Sequence, residues 1–183
     1  MDLKKTGNAG SIWIIGLSSS GKTTLARLLS KRLWENGRPN ILLDGDQIRD
    51  LFEERLGYDV ESRRKQTRRV ERLARLISGG GVLPVVAIIH PFEDDRARCR
   101  KGLKGYFEVY LKCDLETCMA RDTKNVYSPV LKGQAKNVLG LDIPYEDPKN
   151  ADVVLDSGRT SPDEMLETLW RELEKRWSKT CAE

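Results

Sequence analysis

Gly16-Leu17-Ser18-Ser19-Ser20-Gly21-Lys22-Thr23 has the spacing G-x-x-x-x-G-K-[ST], a loop built to hold a chain of phosphates. The glycines let the main chain wrap closely, so the N–H groups of the loop and of the helix that follows point inward at an anion. Lys22 adds a point charge for the outer phosphate oxygens. Thr23 adds a hydroxyl ligand for Mg²⁺, and Thr24 is counted with the loop as a contact. Further on, Asp44-Gly45-Asp46-Gln47-Ile48-Arg49 sets two carboxylates and an arginine at the end of a short apolar run. A carboxylate there can hold Mg²⁺ or accept the proton of an attacking hydroxyl, so Asp46 is a candidate base and metal ligand. The competing reading is that Asp46 only caps the next helix.

Two further groups carry polar chemistry. Phased at about 100° per residue, the stretch from Arg63 to Ile77 has an apolar stripe of Val70, Leu73, Ala74 and Ile77. Arg63, Gln66 and Thr67 continue that stripe inward, whereas Arg64, Lys65, Arg68, Arg72 and Arg75 fall on an outer, solvated face. An inward arginine fork suits a planar or phosphate-like anion. His90 ends another apolar run, directly after Ile89 and before Pro91-Phe92; it is read either as a ligand contact or as a structural histidine.

These residues need a frame, and the pattern supplies one. Short runs at Ile12–Ile15, Asn40–Asp44, Leu83–Ile89, Tyr106–Lys112 and Asp152–Leu155 read as five strands. Longer periodic stretches between them predict helices at about 22–36, 47–54, 62–78, 94–101, 115–121 and 162–177. That alternation is α/β with a parallel sheet, whose strands' carboxyl ends form the ligand crevice. The last helix is the best marked, with Ser161, Pro162 and Glu164 as a capping box and Leu166, Leu169, Leu173 and Trp177 as its stripe. Gly79-Gly80-Gly81 stops the third helix. Residues 123–147 fit neither period and carry Lys124, Lys132 and Lys136, which suggests a lid over the cleft.

A chain of 183 residues, 39% apolar and 33% charged, is expected to form one globular domain, 1–183. No apolar run approaches the roughly 18 residues of a membrane span, and the start has no signal-peptide core, so a cytoplasmic protein with no membrane partner is expected. Cys99, Cys113, Cys118 and Cys181 show no metal-binding spacing and are read as reduced thiols.

The ordered stretches GLSSSGKTT, LDGDQIR, LGYDVESRR, AIIHPFEDDR, EVYLKCDLETCMARD, TKNVY and LGLDIPYEDP together resemble the motifs of the adenylylsulfate kinase family. The resemblance implies a doubly wound parallel sheet of the P-loop nucleoside triphosphate hydrolase type. It also implies Mg·ATP as donor, a nucleotide acceptor phosphorylated on its ribose 3′-hydroxyl, and a homodimer. Asp46 resembles the family's catalytic carboxylate, Lys124 and Lys136 its lid lysines, and Arg121-Asp122 the pair beside the donor adenine. The acceptor site is similar at Asp44, Arg49, Tyr58 and Arg63, with Ile89 beside them. Three positions depart from the family: Gln66 stands for an asparagine, His90 for a serine, and Val138 for an aromatic ring that would face Tyr58 across the acceptor base. A phosphoenzyme role given to that serine does not transfer to His90. The stretch NVLGLDIPYEDP looks closer to a branch that includes a cytidine diphosphoramidate kinase, which makes a cytidine acceptor the alternative to adenylylsulfate.

Two other classes fall away. A guanine-reading switch needs N-K-x-D, and Lys124-Asn125-Val126-Tyr127 lacks the aspartate. A nucleic-acid-binding ATPase would interleave aromatics with its cations, and the Arg63–Arg75 stretch has none, so no nucleic-acid partner is expected.

Overall fold

A computed structural model describes residues 9–180. Five strands form one all-parallel sheet: β1 (Ser11–Ile15), β2 (Asn40–Asp44), β3 (Leu83–Ile88), β4 (Tyr106–Lys112) and β5 (Val153–Asp156), in the order β2-β3-β1-β4-β5. Helices α1 (Lys22–Glu35), α2 (Gly45–Asp50), α3 (Val60–Gly79), α4 (Glu93–Gly102), α5 (Leu115–Arg121), α6 (Ser128–Leu131) and α7 (Pro162–Thr180) lie between and after them.

The period-2 geometry of the central strand divides the core. Ile12 and Ile14 of β1 pack on one face with Leu25, Leu29 and Leu33 of α1 and Leu169 and Leu173 of α7. Trp13 and Ile15 pack on the other with Val70 and Ala74 of α3. A parallel sheet covered on both faces explains why the strands read as near-continuous apolar runs rather than as alternations.

The capping box of α7 forms in both directions: Glu164 N–H donates to Ser161 Oγ at 3.3 Å, and Ser161 N–H donates to Glu164 Oε2 at 3.0 Å. Two helix starts differ from expectation. Helix α3 begins at Val60 because Asp59 caps it, accepting from Ser62 N–H at 2.9 Å. Helix α2 begins at Gly45 rather than Gln47 and is over by Asp50, because the capping residue is Asp44, whose Oδ1 accepts from Asp46 N–H at 3.0 Å. That overturns the reading of Asp46 as a helix cap: it sits in the first turn, and its carboxylate pairs with Lys124 rather than with the helix start.

The 123–147 segment contains the short helix α6 and a bridge between Leu139 and Ile143. Its far end is fixed to α4: Arg96, almost fully buried, donates to Glu146 C=O at 2.7 Å and to His90 C=O at 2.8 Å. Tyr110 Oη adds a bond to Asp147 at 2.7 Å. No helix among the described residues is long and apolar enough to cross a membrane. Cys99, Cys113 and Cys118 are free thiols; Cys181 lies outside the described residues.

Candidate active site

The carboxyl ends of β1, β2 and β3 open into a cleft of about 720 Å³, roofed by the 123–147 segment. Its size and position match a nucleotide site at a topological switch point.

At one end lies the loop after β1. Gly16 has φ +147° and passes so close to β4 that an added Cβ would meet Leu111 O at 2.6 Å; Gly21 has φ +92°. Only glycine takes up these two positions without strain. Gly16, Leu17 and Ser20 shape the loop from behind, whereas Ser18, Ser19, Gly21, Lys22, Thr23 and Thr24 line the cleft. The Lys22 ammonium rests on Leu17 C=O at 2.5 Å. Burial, and then the neighbouring Lys124 charge, bring its pKa down to about 8. The hydroxyls of Ser19 and Ser20 are buried without a partner. Thr23 Oγ1 gives its proton to Asp44 Oδ2 at 2.7 Å, so its lone pairs are left for a cation. Asp44, expected among the acceptor contacts, thus fixes Thr23 with one oxygen and α2 with the other.

Asp46 projects from α2 and is ion-paired with Lys124 of the lid. These two groups stand between the loop and the opposite end of the cleft. There the Tyr58 ring is exposed and flanked by guanidinium groups, Arg49 at 4.7 Å and Arg63 at 5.7 Å from its centroid. Arg63 donates to Tyr58 C=O and to the lid's Asn137 C=O, both at 2.7 Å. Burial, then Arg49, lower its pKa to about 10, still charged at neutral pH. Gln66 and His90 close the floor, both buried, with Ile89 beside them. His90 packs against Trp13 with the rings tilted by 35° at a centroid distance of 5.2 Å, and burial followed by Arg96 and Arg98 pulls its pKa to about 3.

Lys136, Val138 and Arg121 also line the cleft. Val138 is buried among Tyr127, Cys113 and Cys118. Arg121 is held by Ser157 C=O at 2.7 Å.

Sequence reading missed two residues that fix the lid. Tyr127, 1% exposed, donates to Ser18 C=O at 3.1 Å and so joins lid to loop. Arg96 holds the lid's far end. The aperiodic segment signalled a lid but gave no register, and the Asp95-Arg96 pair was visible only as two charges.

The outer cations of α3 are largely spent on neighbouring acids: Arg64 on Asp95 at 3.3 Å, Lys65 on Glu61 at 3.6 Å and Arg75 on Glu71 at 2.8 Å. That is a solvated, structural face.

A glycine-rich phosphate loop opening a helix, a carboxylate one strand away and a lid bearing a lysine define a P-loop kinase. The family model of adenylylsulphate kinase matches residues 8–156. The adenylyl-sulfate kinase of Thermodesulfovibrio yellowstonii is 38% identical over 162 residues, 87% of this chain and 81% of its own length. That of Bacillus velezensis is 39% identical over 155 residues, 84% and 79%. The structure of Mycobacterium tuberculosis APS kinase in complex with AMPPNP and APS superposes with a TM-score of 0.86 at 34% identity, covering 92% of this chain and 99% of that one. The chain belongs to the adenylylsulphate kinase family.

Proposed function

We propose that this protein transfers the γ-phosphoryl group of ATP to the ribose 3′-hydroxyl of adenylylsulfate, giving 3′-phosphoadenylylsulfate and ADP, a step of sulfate assimilation. The observation that carries this reading is the Asp46–Lys124 pair, set between a phosphate loop and an aromatic–arginine platform. In direct in-line transfer, Asp46 takes the proton of the acceptor hydroxyl while that oxygen bonds to the γ-phosphorus and the bond to the ADP oxygen breaks. Lys22 and Lys124 offset the charge on the transferred group. Arg49 and Arg63 face the acceptor's 5′ anionic group, and Tyr58 stacks on its base.

The residues present fit Mg²⁺, with Thr23 Oγ1 oriented by Asp44 and Asp46 nearby. Thr23 and Asp46 would hold the ion, which would supply positive charge to offset that of the donor phosphates. A cytoplasmic homodimer completes the proposal, and light scattering after size exclusion tests its oligomeric part.

One observation favours a second acceptor. With Val138 packed into the lid base, Tyr58 is a single plate, which suits a smaller pyrimidine such as that of cytidine 5′-diphosphoramidate. A coupled ADP-release assay with both acceptors separates the two. Selective turnover of adenylylsulfate supports the main reading; turnover of the cytidine compound alone sinks it in favour of the second.

A further inference from the structure

Buried side-chain nitrogen and oxygen atoms nearly always have a partner. Among the described residues eight lack one, and three of these are Gln66 Oε1, His90 Nδ1 and His90 Nε2. The others have local explanations. Ser19 and Ser20 belong to the phosphate loop, Asp95 and Arg98 to an ion pair, and Tyr145 is stacked against Tyr110. Gln66 and His90 are 7% and 1% exposed, yet both form part of the cleft wall.

Both line the same cleft. Gln66 Nε2 donates to Gly45 C=O at 3.3 Å, and a Cβ at Gly45 would stand 3.1 Å from Ile88, two residues before His90. That bond also fixes the amide: turning it over would set oxygen against oxygen. The atom left over is therefore an acceptor with nothing to accept. The neutral His90 imidazole adds one N–H and one lone pair. Together the floor presents two acceptors and one donor.

A sulfate or phosphate oxygen has only lone pairs, so it would leave both acceptors facing negative charge. The cations that suit such a group are Arg49 and Arg63, which flank the Tyr58 ring.

We infer that Gln66 and His90 form a neutral, specificity-determining floor that takes an N–H or O–H donor of the acceptor nucleotide, not its anionic group. This deepens the kinase reading and rests on it. The donor has three chemical sources: the exocyclic amine of the base, the ribose 2′-hydroxyl, or an N–H on the 5′ substituent. A site built to hydrogen-bond a donor discriminates sharply against analogues that lack it.

The test compares kcat/KM for adenylylsulfate, inosine 5′-phosphosulfate, 2′-deoxyadenylylsulfate and adenosine 5′-diphosphoramidate, with Mg·ATP, in the native chain and two variants. Gln66→Met keeps volume and helix propensity but deletes the acceptor, together with the Nε2 bond to Gly45 C=O. His90→Asn keeps a donor and an acceptor and tolerates the residue's φ of +52°. The native chain should favour a donor-bearing acceptor at least tenfold over the matched one without it. Gln66→Met should shrink that ratio to about twofold with the KM for ATP unchanged, and His90→Asn should retain most of it. Thermal melting confirms that both variants fold. Turnover with the same ratios in Gln66→Met as in the native chain overturns the inference alone and assigns the three atoms to trapped water. No turnover of any acceptor by the native chain overturns the functional reading and the inference together.

Discussion

The two ends of the cleft are built in opposite ways. The phosphate-loop end is one continuous stretch of chain, in which Lys22 rests on Leu17 C=O, Thr23 is held by Asp44 and Tyr127 anchors Ser18, while the Ser19 and Ser20 hydroxyls lack partners. The end proposed for the acceptor is assembled from α2, the start of α3, the end of β3 and the lid, and its floor also keeps polar atoms without partners. Phosphates are the same in every nucleotide, so a contiguous loop serves; an acceptor has to be chosen, which takes residues from distant parts of the chain.

Mutations can break this contrast from either end. Lys22→Ala should abolish turnover, a loss of about 10³-fold or more, since a positioned charge at the transferred group is gone. Because no core is exposed, the melting temperature should stay near native, and an active, folded variant would misplace the donor end. Asp46→Asn should lower kcat by on the order of 10²-fold or more with ATP affinity little changed, read by steady-state kinetics and nucleotide titration. A normal kcat there would deny the carboxylate between the two ends any part in proton transfer.

Smaller effects sharpen the comparison. Val138 is buried beside Tyr127 and Cys118 and lines the cleft, so in Val138→Phe the larger ring should turn out into the cleft, toward Tyr58. The KM for adenylylsulfate should then fall roughly tenfold, about 1.4 kcal/mol, with that for ATP unchanged. If both KM values rise instead, Val138 is a packing residue of the lid alone. The smallest effect is on pH. Free Lys22 loses its proton as pH rises through about 8, whereas a bound polyphosphate holds it charged. ATP affinity should therefore be flat below pH 8 and weaken above it, approaching tenfold per unit. Calorimetry near pH 8.5 in buffers of different ionisation heat should show proton uptake on binding, and none in Lys22→Arg.

The same contrast governs what was legible in the chain. All five strands and the phosphate loop could be read because their signals are local: β-branched runs, and an eight-residue motif with strand before and helix after. Asp59 and Asp44 as caps were not read, since an aspartate before a helix and one inside its first turn look alike until the backbone is in place. The inward face of α3 was legible through its period, which correctly brought Gln66 and Thr67 inside. The unsatisfied state of Gln66 was not, because it depends on Gly45, 21 residues away. The lid was legible only as a lack of pattern, and the residues that fix it, Tyr127 and Arg96, act through main-chain carbonyls that carry no sequence signal.

Those attachments have a bearing on timing. One segment of 25 residues touches the phosphate loop through Tyr127, Asp46 through Lys124, and Arg63 through Asn137. Lifting the segment disturbs all three contacts at once, so the two nucleotides are expected to leave through one shared movement. Departure of ADP and of the phosphorylated product should then share one slow conformational step, so that burst experiments with either acceptor report the same release rate.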